Sequence, residues 1–176
     1  MRNVVAVSFP KHVWTLLAVY FVASLAHFAH NAESIAYYPN MPAWLTRDDI
    51  YLAWSAVTSA GVAGLVLYRF GLYVLSVLLV GTYGALGLDG LAHYTLALCS
   101  EHTLATNATI WFEVIAGFML MLASALLIAR RVSCTCKAER LMSDIALNRI
   151  RRYAPSIGRS SAATGRLLCR QSPKNQ

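Results

Sequence analysis

The chain has 176 residues, of which 57% are hydrophobic and only 13% charged, with a mean hydropathy of +0.51. A soluble domain carries roughly a quarter charged residues, so this composition excludes an ordinary water-soluble globule and points to apolar helical spans. The net charge of +7 is concentrated: eleven of the fifteen Lys and Arg lie from Arg130 onward, and between Lys11 and Arg130 only Arg47 and Arg69 are basic.

Residues 1–11 form a short polar start with Arg2, Pro10 and Lys11. The first apolar segment covers about 13–31. Its small residues near Ala26 imitate a signal-peptide cleavage site, but the run is long enough to anchor, and a retained helix is expected. Residues 32–49 form a loop containing Tyr37-Tyr-Pro-Asn-Met-Pro-Ala-Trp44, whose aromatics suit the headgroup level of a bilayer. Thr46-Arg-Asp-Asp49 supplies N-cap chemistry, with acids near the positive end of the next helix.

The second span covers about 50–68, and Gly61 and Gly64 give it a face that a neighbour can approach closely. Tyr68-Arg-Phe-Gly71 is a tight turn. The third span runs over about 72–93, with Gly81, Gly84, Gly87 and Gly90 at three-residue spacing, again a packing face. A loop at 94–106 leads to the fourth span, about 107–129. The Asn107-Ala-Thr109 sequon lies close to the span for glycosylation. Arg130-Arg131 stops the span.

The expected fold is therefore all-α: a polytopic bundle of four transmembrane helices over residues 1–131, followed by a basic juxtamembrane tail over 132–176. Within that tail, Lys137 to Tyr153 reads as an amphipathic surface helix with Met142, Ile145, Ala146, Ile150 and Tyr153 towards lipid. Beyond Pro155 the Ser/Gly/Arg-rich remainder reads as disordered. Anionic lipid headgroups are the expected partner of the basic block, and the bias of basic residues puts both termini in the cytoplasm. No aromatic-interleaved basic surface or nucleic-acid motif accompanies the charge, so nucleic acid is not an expected partner.

Cys99 stands alone on the outer side, whereas Cys134, Cys136 and Cys169 fall in the tail, where thiols are kept reduced. Cys134-Thr-Cys136 could take a soft metal or an acyl chain. Two cysteines do not complete a structural zinc site.

The chemistry-bearing residues gather at one end of the spans. His27-Phe-Ala-His-Asn-Ala-Glu33 closes the first, Asp89 and His93 close the third, His102 lies in the loop after it, and Glu113 enters the fourth. His27 and His30, three apart, share a helical face with about 4.5 Å of rise between them. Asp89 and His93, four apart, would share one too. Glu113 lies about 9 Å along the helix from Asn107, near the depth of His27. The expected arrangement is a deeper layer of His27, Asp89 and Glu113, and a shallower layer of His30, His93 and His102 with Glu33 or Glu101 above.

Ionisable groups inside a span are costly and face a partner or a cavity. Imidazole with carboxylate suits Zn, Fe, Cu or Mn, and bundle cores are suited to building such sites. Asn31 or Asp89 could orient a ligating ring. The leading expectation is an integral membrane metalloprotein holding one or two transition metals at His27, His30, Glu33, Asp89, His93, His102 and Glu113. If it is an enzyme, a redox or hydrolytic reaction fits. Two other readings stand beside it. One is a membrane electron carrier with haem b between His27 or His30 and His93. The other is a non-catalytic subunit, or homo-oligomer component, whose glycine faces pack a partner while its polar groups satisfy one another. No Gly-rich phosphate loop, HExxH helix or GxSxG elbow is present.

Overall fold

The computed structural model describes residues 8–37 and 42–153; Tyr38 to Met41 of the aromatic loop and everything after Tyr153, including Cys169, lie outside the described residues. All regular structure among the described residues is helical. Helix α1 spans Lys11–Glu33, α2 Arg47–Arg69, α3 Tyr73–Leu86, the short α4 His93–Leu96 and α5 Leu104–Tyr153. A 3-10 segment over Gly87–Ala92 joins α3 to α4. Four stretches, Lys11–Glu33, Arg47–Arg69, Tyr73–Leu96 and Leu104–Ile150, are long and apolar enough to cross a membrane.

Local chemistry explains the helix ends. Pro10 stands just outside α1, its carbonyl accepting from Val13 N–H at 3.0 Å. At the start of α2, where the sequence offered N-cap chemistry, Thr46 Oγ1 accepts from Asp49 N–H while Thr46 N–H donates to Asp49 Oδ2 at 2.9 Å, a reciprocal capping box. At its end, Gly71 N–H bonds Tyr68 O and Leu72 N–H bonds Leu67 O, both at 3.0 Å, around Gly71 at φ +76°. This is a Schellman closure. No atom lies within 4 Å of where a Gly71 side chain would start, so the demand is purely conformational. Gly71→Ala is expected to destabilise the protein by about 1 kcal/mol, the cost of a left-handed alanine. A detergent-solubilised melt would check it, and an unchanged midpoint would deny the closure any role.

Two boundaries differ from the sequence expectation. The third span does not stay α-helical to His93: at Gly87-Leu-Asp-Gly90 it tightens to a 3-10 turn. Two glycines weaken the α-form there. The fourth helix does not break at Arg130-Arg131 but runs on to Tyr153. The sequence from Phe118 to Tyr153 contains neither Gly nor Pro, and Ala, Leu, Arg, Met, Lys and Glu favour helix.

The chain separates into two compact units, residues 1–133 and 134–176. In the first, α1, α3 and α5 form the core: Val13, Leu17, Tyr20 and Ala23 meet Val77, Val80 and Tyr83, with Ala116 and Leu120. Glycines allow this closeness. A Cβ on Gly84 would lie 2.6 Å from Gly117 O, and one on Gly117 would lie 2.5 Å from Gly84 O. Helix α2 lies against α3 through Gly61, which faces the Tyr83 ring, and Gly64, which faces Val80 and Ser76. The outward faces carry large exposed apolar side chains, among them Val22, Leu52, Val62, Leu75, Leu78 and Ile115. In the second unit, Leu141, Met142, Ile145 and Ile150 are likewise exposed on the helix that also carries Lys137, Arg140 and Arg149.

The core of the first unit is not apolar along its whole length. Around Tyr20 and Leu120 it is mainly hydrophobic, with the small hydroxyls of Ser24, Ser76 and Ser124 among the buried groups. Towards the ends where α1 stops and α5 starts, buried beside Ala32 and Ile110, are His27, Asn31, Thr106 and Glu113. Those side chains make the candidate site.

Candidate functional site

Asn31 is the hub. Its Nδ2 donates to His27 Nε2 at 3.1 Å and to His93 Nε2 at 3.2 Å. Both imidazoles therefore direct an Nε2 lone pair at the same amide nitrogen, one ring from α1 and the other from the start of α4. A neutral imidazole accepting at Nε2 carries its proton on Nδ1. For His27 that Nδ1–H faces Thr109 Oγ1 at 3.4 Å, and Thr109 in turn donates to Thr106 O at 3.0 Å. In that tautomer the bonds to Asn31 and Thr109 hold the His27 ring plane from both sides, as a backing hydrogen bond does for a ligating histidine.

Glu113, on α5, brings its Oε2 to 3.5 Å from His27 Nε2, and both side chains are only 2% exposed. Gly90 lies beside that carboxyl group: a Cβ there would sit 3.5 Å from Glu113 Oε2, an ordinary contact. Asp89 lines the same space. A cavity of about 140 Å³ is bounded by His27, Asn31, Val57, Asp89, His93 and Glu113, with Phe28, Leu86 and Gly90 completing its wall. The His27 and His93 ring centroids are 5.3 Å apart, with the planes at 77°. Asn31 Oδ1 is buried and accepts no hydrogen bond.

The seven residues singled out in the sequence divide into groups. His27, Asp89, His93 and Glu113 surround one cavity. His102 is buried beyond His93, with ring centroids 6.3 Å apart, and packs on Tyr94 at 5.7 Å. His30 also faces α5 but lies outside the cavity wall, its Nε2 3.3 Å from Thr106 Oγ1 and its Nδ1 3.5 Å from Ser34 Oγ. Glu33 is directed to α2, where Arg47 pairs with it at 3.0 Å and Tyr51 donates to it at 2.9 Å. Glu101 accepts from Leu98 N–H at 2.7 Å and closes its own turn.

The layering is thus different from expectation, because His93 belongs with His27 rather than with His30. The 3-10 segment is the reason. Four residues in a 3-10 helix rotate by about 480°, so Asp89 and His93 stand about 120° apart around the axis instead of stacking. Both still reach the cavity, from different directions. Among the described residues no three His, Cys, Asp or Glu side chains converge on a position that would hold a metal ion. The Asn31 amide occupies the point on which the two imidazoles converge.

Asn31 was visible in the sequence only as an orienting residue, although it lies four positions beyond His27 and so shares its face. Thr106 and Thr109 were not anticipated; their spacing to Glu113, three and then four, places all three on one face of α5. Asn107 is also committed, accepting from Tyr94 OH at 2.8 Å and donating to Cys99 O at 3.0 Å. Cys134 and Cys136 are exposed in the second unit. Comparison with protein-family models, with curated proteins and with solved structures finds no match to this chain.

Proposed function

We propose that the protein is an integral membrane protein that binds one transition-metal ion in the polar cavity, with His27 Nε2, His93 Nε2 and Glu113 as ligands and Asp89 on the cavity wall. The observation that carries this reading is the convergence of two imidazole lone pairs from two helices on one electropositive group, the Asn31 amide, beside a carboxyl oxygen. A cation is the natural replacement for that amide. Two ligands held at about 2.1 Å around a tetrahedral metal stand about 3.4 Å apart, and Glu113 Oε2 is 3.5 Å from His27 Nε2. Rotation of the Asn31 side chain frees the position, and its unsatisfied Oδ1 then faces the cation.

Mixed imidazole and carboxylate donors suit Zn, Fe or Cu. A cavity of about 140 Å³ is below the roughly 300–1,000 Å³ of cofactor-sized pockets, which favours an ion over a haem macrocycle. The bias of basic residues towards the termini supports a topology with both of them in the cytoplasm, which would put the His27 cavity near the outer surface. No reaction is assigned; an ion held by three protein donors keeps a position open for water or substrate.

One observation favours a second reading: the two-imidazole clamp on Asn31 is already complete as a metal-free polar lock between α1 and α4. The Asn31→Ala variant separates the two. For a metal site, protein purified without chelator should contain about one equivalent of metal, and Asn31→Ala should retain it, because its competitor for the imidazoles has gone. For a polar lock, neither protein contains metal and Asn31→Ala melts markedly lower. Metal-free, well-folded wild type would overturn the proposal.

A further inference from the structure

The second unit carries an uncovered helical stripe that the metal reading does not use. Every residue of α5 from Arg131 to Ile150 is exposed, Leu141 at 62% and Ile145 at 49%. Cys134, Ala138, Leu141, Ile145 and Asn148 follow one another at alternating steps of four and three residues. Such steps average about 3.5 residues, close to the roughly 3.6 of an α-helical turn, so the five positions run along one side of the helix.

Charge separates this stripe from the side beside it. The stripe contains no Asp, Glu, Lys or Arg. The neighbouring side, with Met142, Ala146 and Ile150, is the one the sequence suggests for lipid. Glu139 stands at its head, three residues before Met142 and so on the same side. A carboxylate there opposes seating on anionic headgroups. The charge-free stripe takes two positions in seven, the width of a seam between two helices and narrower than the face a helix lays on a surface.

The flanks of the stripe are complementary to themselves. With Ala138 and Ile145 at a, and Cys134, Leu141 and Asn148 at d, Asp144 falls at g and Arg149 at e. In a parallel pair a g residue meets the e residue five positions on in its partner. Asp144 therefore faces Arg149 of the second copy, and the same pair recurs on the other side of the seam. The preceding g residue, Lys137, meets Met142, so no like charges are opposed. The segment continues the helix of the fourth span, so two copies of one topology in one bilayer present it in the same direction.

We propose that residues 134–149 pair with the same segment of a second copy as a short parallel coiled coil, joining two chains through the tail. Fewer than three heptads hold weakly between free chains; confinement to one membrane raises the effective concentration and offsets this. The pairing is independent of the metal reading, since none of these residues lines the His27 cavity.

The test is oxidative cross-linking of the full chain in phosphatidylcholine vesicles at low protein density, with copper phenanthroline as oxidant. Cys134 lies in the seam, whereas Cys136, two residues on, points to the far side of the helix. Protein retaining Cys134 (Cys99→Ser/Cys136→Ser/Cys169→Ser) is compared with protein retaining Cys136 (Cys99→Ser/Cys134→Ser/Cys169→Ser). The first is expected to form a disulfide-linked dimer about tenfold faster or more, because only the seam position is held at high effective concentration. Leu141→Lys/Ile145→Lys should abolish that advantage. Asp144→Arg should slow the linkage, and Arg149→Asp added to it should restore the rate, a rescue that a helix lying on lipid would not show. All four substituted positions are exposed, so the variants should keep the thermal midpoint of the bundle. Equal rates at Cys134 and Cys136, or no linkage at either, is the outcome for a helix covered by lipid and would overturn the proposal. So would a Cys134 rate indifferent to the charge exchange. The comparison reads the same whether or not the protein holds metal, so a failure here is distinguishable from a failure of the metal site.

Discussion

His27→Ala/His93→Ala protein, purified without chelator, is expected to contain no metal above background, against about one equivalent in wild type. Removing two of three donors leaves a lone carboxylate, and Glu113 alone cannot compete with water for Zn, Fe or Cu. The effect on affinity should exceed the 10–100-fold that follows loss of an outer-shell partner. The single His27→Ala variant should also lower stability by about 1–3 kcal/mol, because Asn31 loses one acceptor and Thr109 and Glu113 lose a buried neighbour. His93→Ala should cost less: its ring is half-buried, whereas His27 is 2% exposed. Elemental analysis of the two preparations, alongside their thermal midpoints, reads both effects. Stoichiometric metal surviving in the double variant would remove His27 and His93 from the ligand set.

Gly84→Leu is expected to destabilise the bundle by about 3 kcal/mol or more, the upper range for forcing atoms into a packed interior. Already at Cβ the new side chain would lie 2.6 Å from Gly117 O and 2.8 Å from Met121 N. These are backbone atoms of α5, so no rotamer change relieves the clash, and α3 and α5 must separate. The small gain in helix propensity on replacing glycine, about 1 kcal/mol, does not offset this. The consequence reaches the site, because α3 leads into Asp89 and His93 while α5 carries Thr109 and Glu113. Metal content should therefore fall together with stability. Gly90→Ala is the control: its Cβ meets Glu113 Oε2 at 3.5 Å, an ordinary contact. It should remain within about 0.5 kcal/mol of wild type. Unfolding in SDS–detergent mixtures compares the three, and a Gly84→Leu protein as stable as Gly90→Ala would mean that α3 and α5 do not approach through these glycines.

The sequence by itself determined the helices. Apolar runs of membrane-spanning length, separated by polar turns, leave little alternative when backbone groups must bond internally. Thr46 and Asp49 likewise specify their cap locally, since donor and acceptor lie within one turn. It also placed His27, Asp89, His93 and Glu113 at one end of the spans, because depth along a helix follows from counting residues at a fixed rise. What it could not determine is rotation. His93 was expected beside His30, yet it meets His27 through Asn31, because a 3-10 turn at Gly87–Ala92 changes the angle at which everything after it emerges. Glu33, placed with the histidines by depth alone, is turned to Arg47 and Tyr51 on a different helix. The seating of the Tyr83 ring against Gly61 left no trace in the pattern, since the residues come from separate helices with no shared period. Helix formation and depth are set by neighbours in the chain, whereas the direction a side chain faces is set by how close the helices come. Here Gly84 and Gly117 permit that approach, through contacts between residues 33 positions apart.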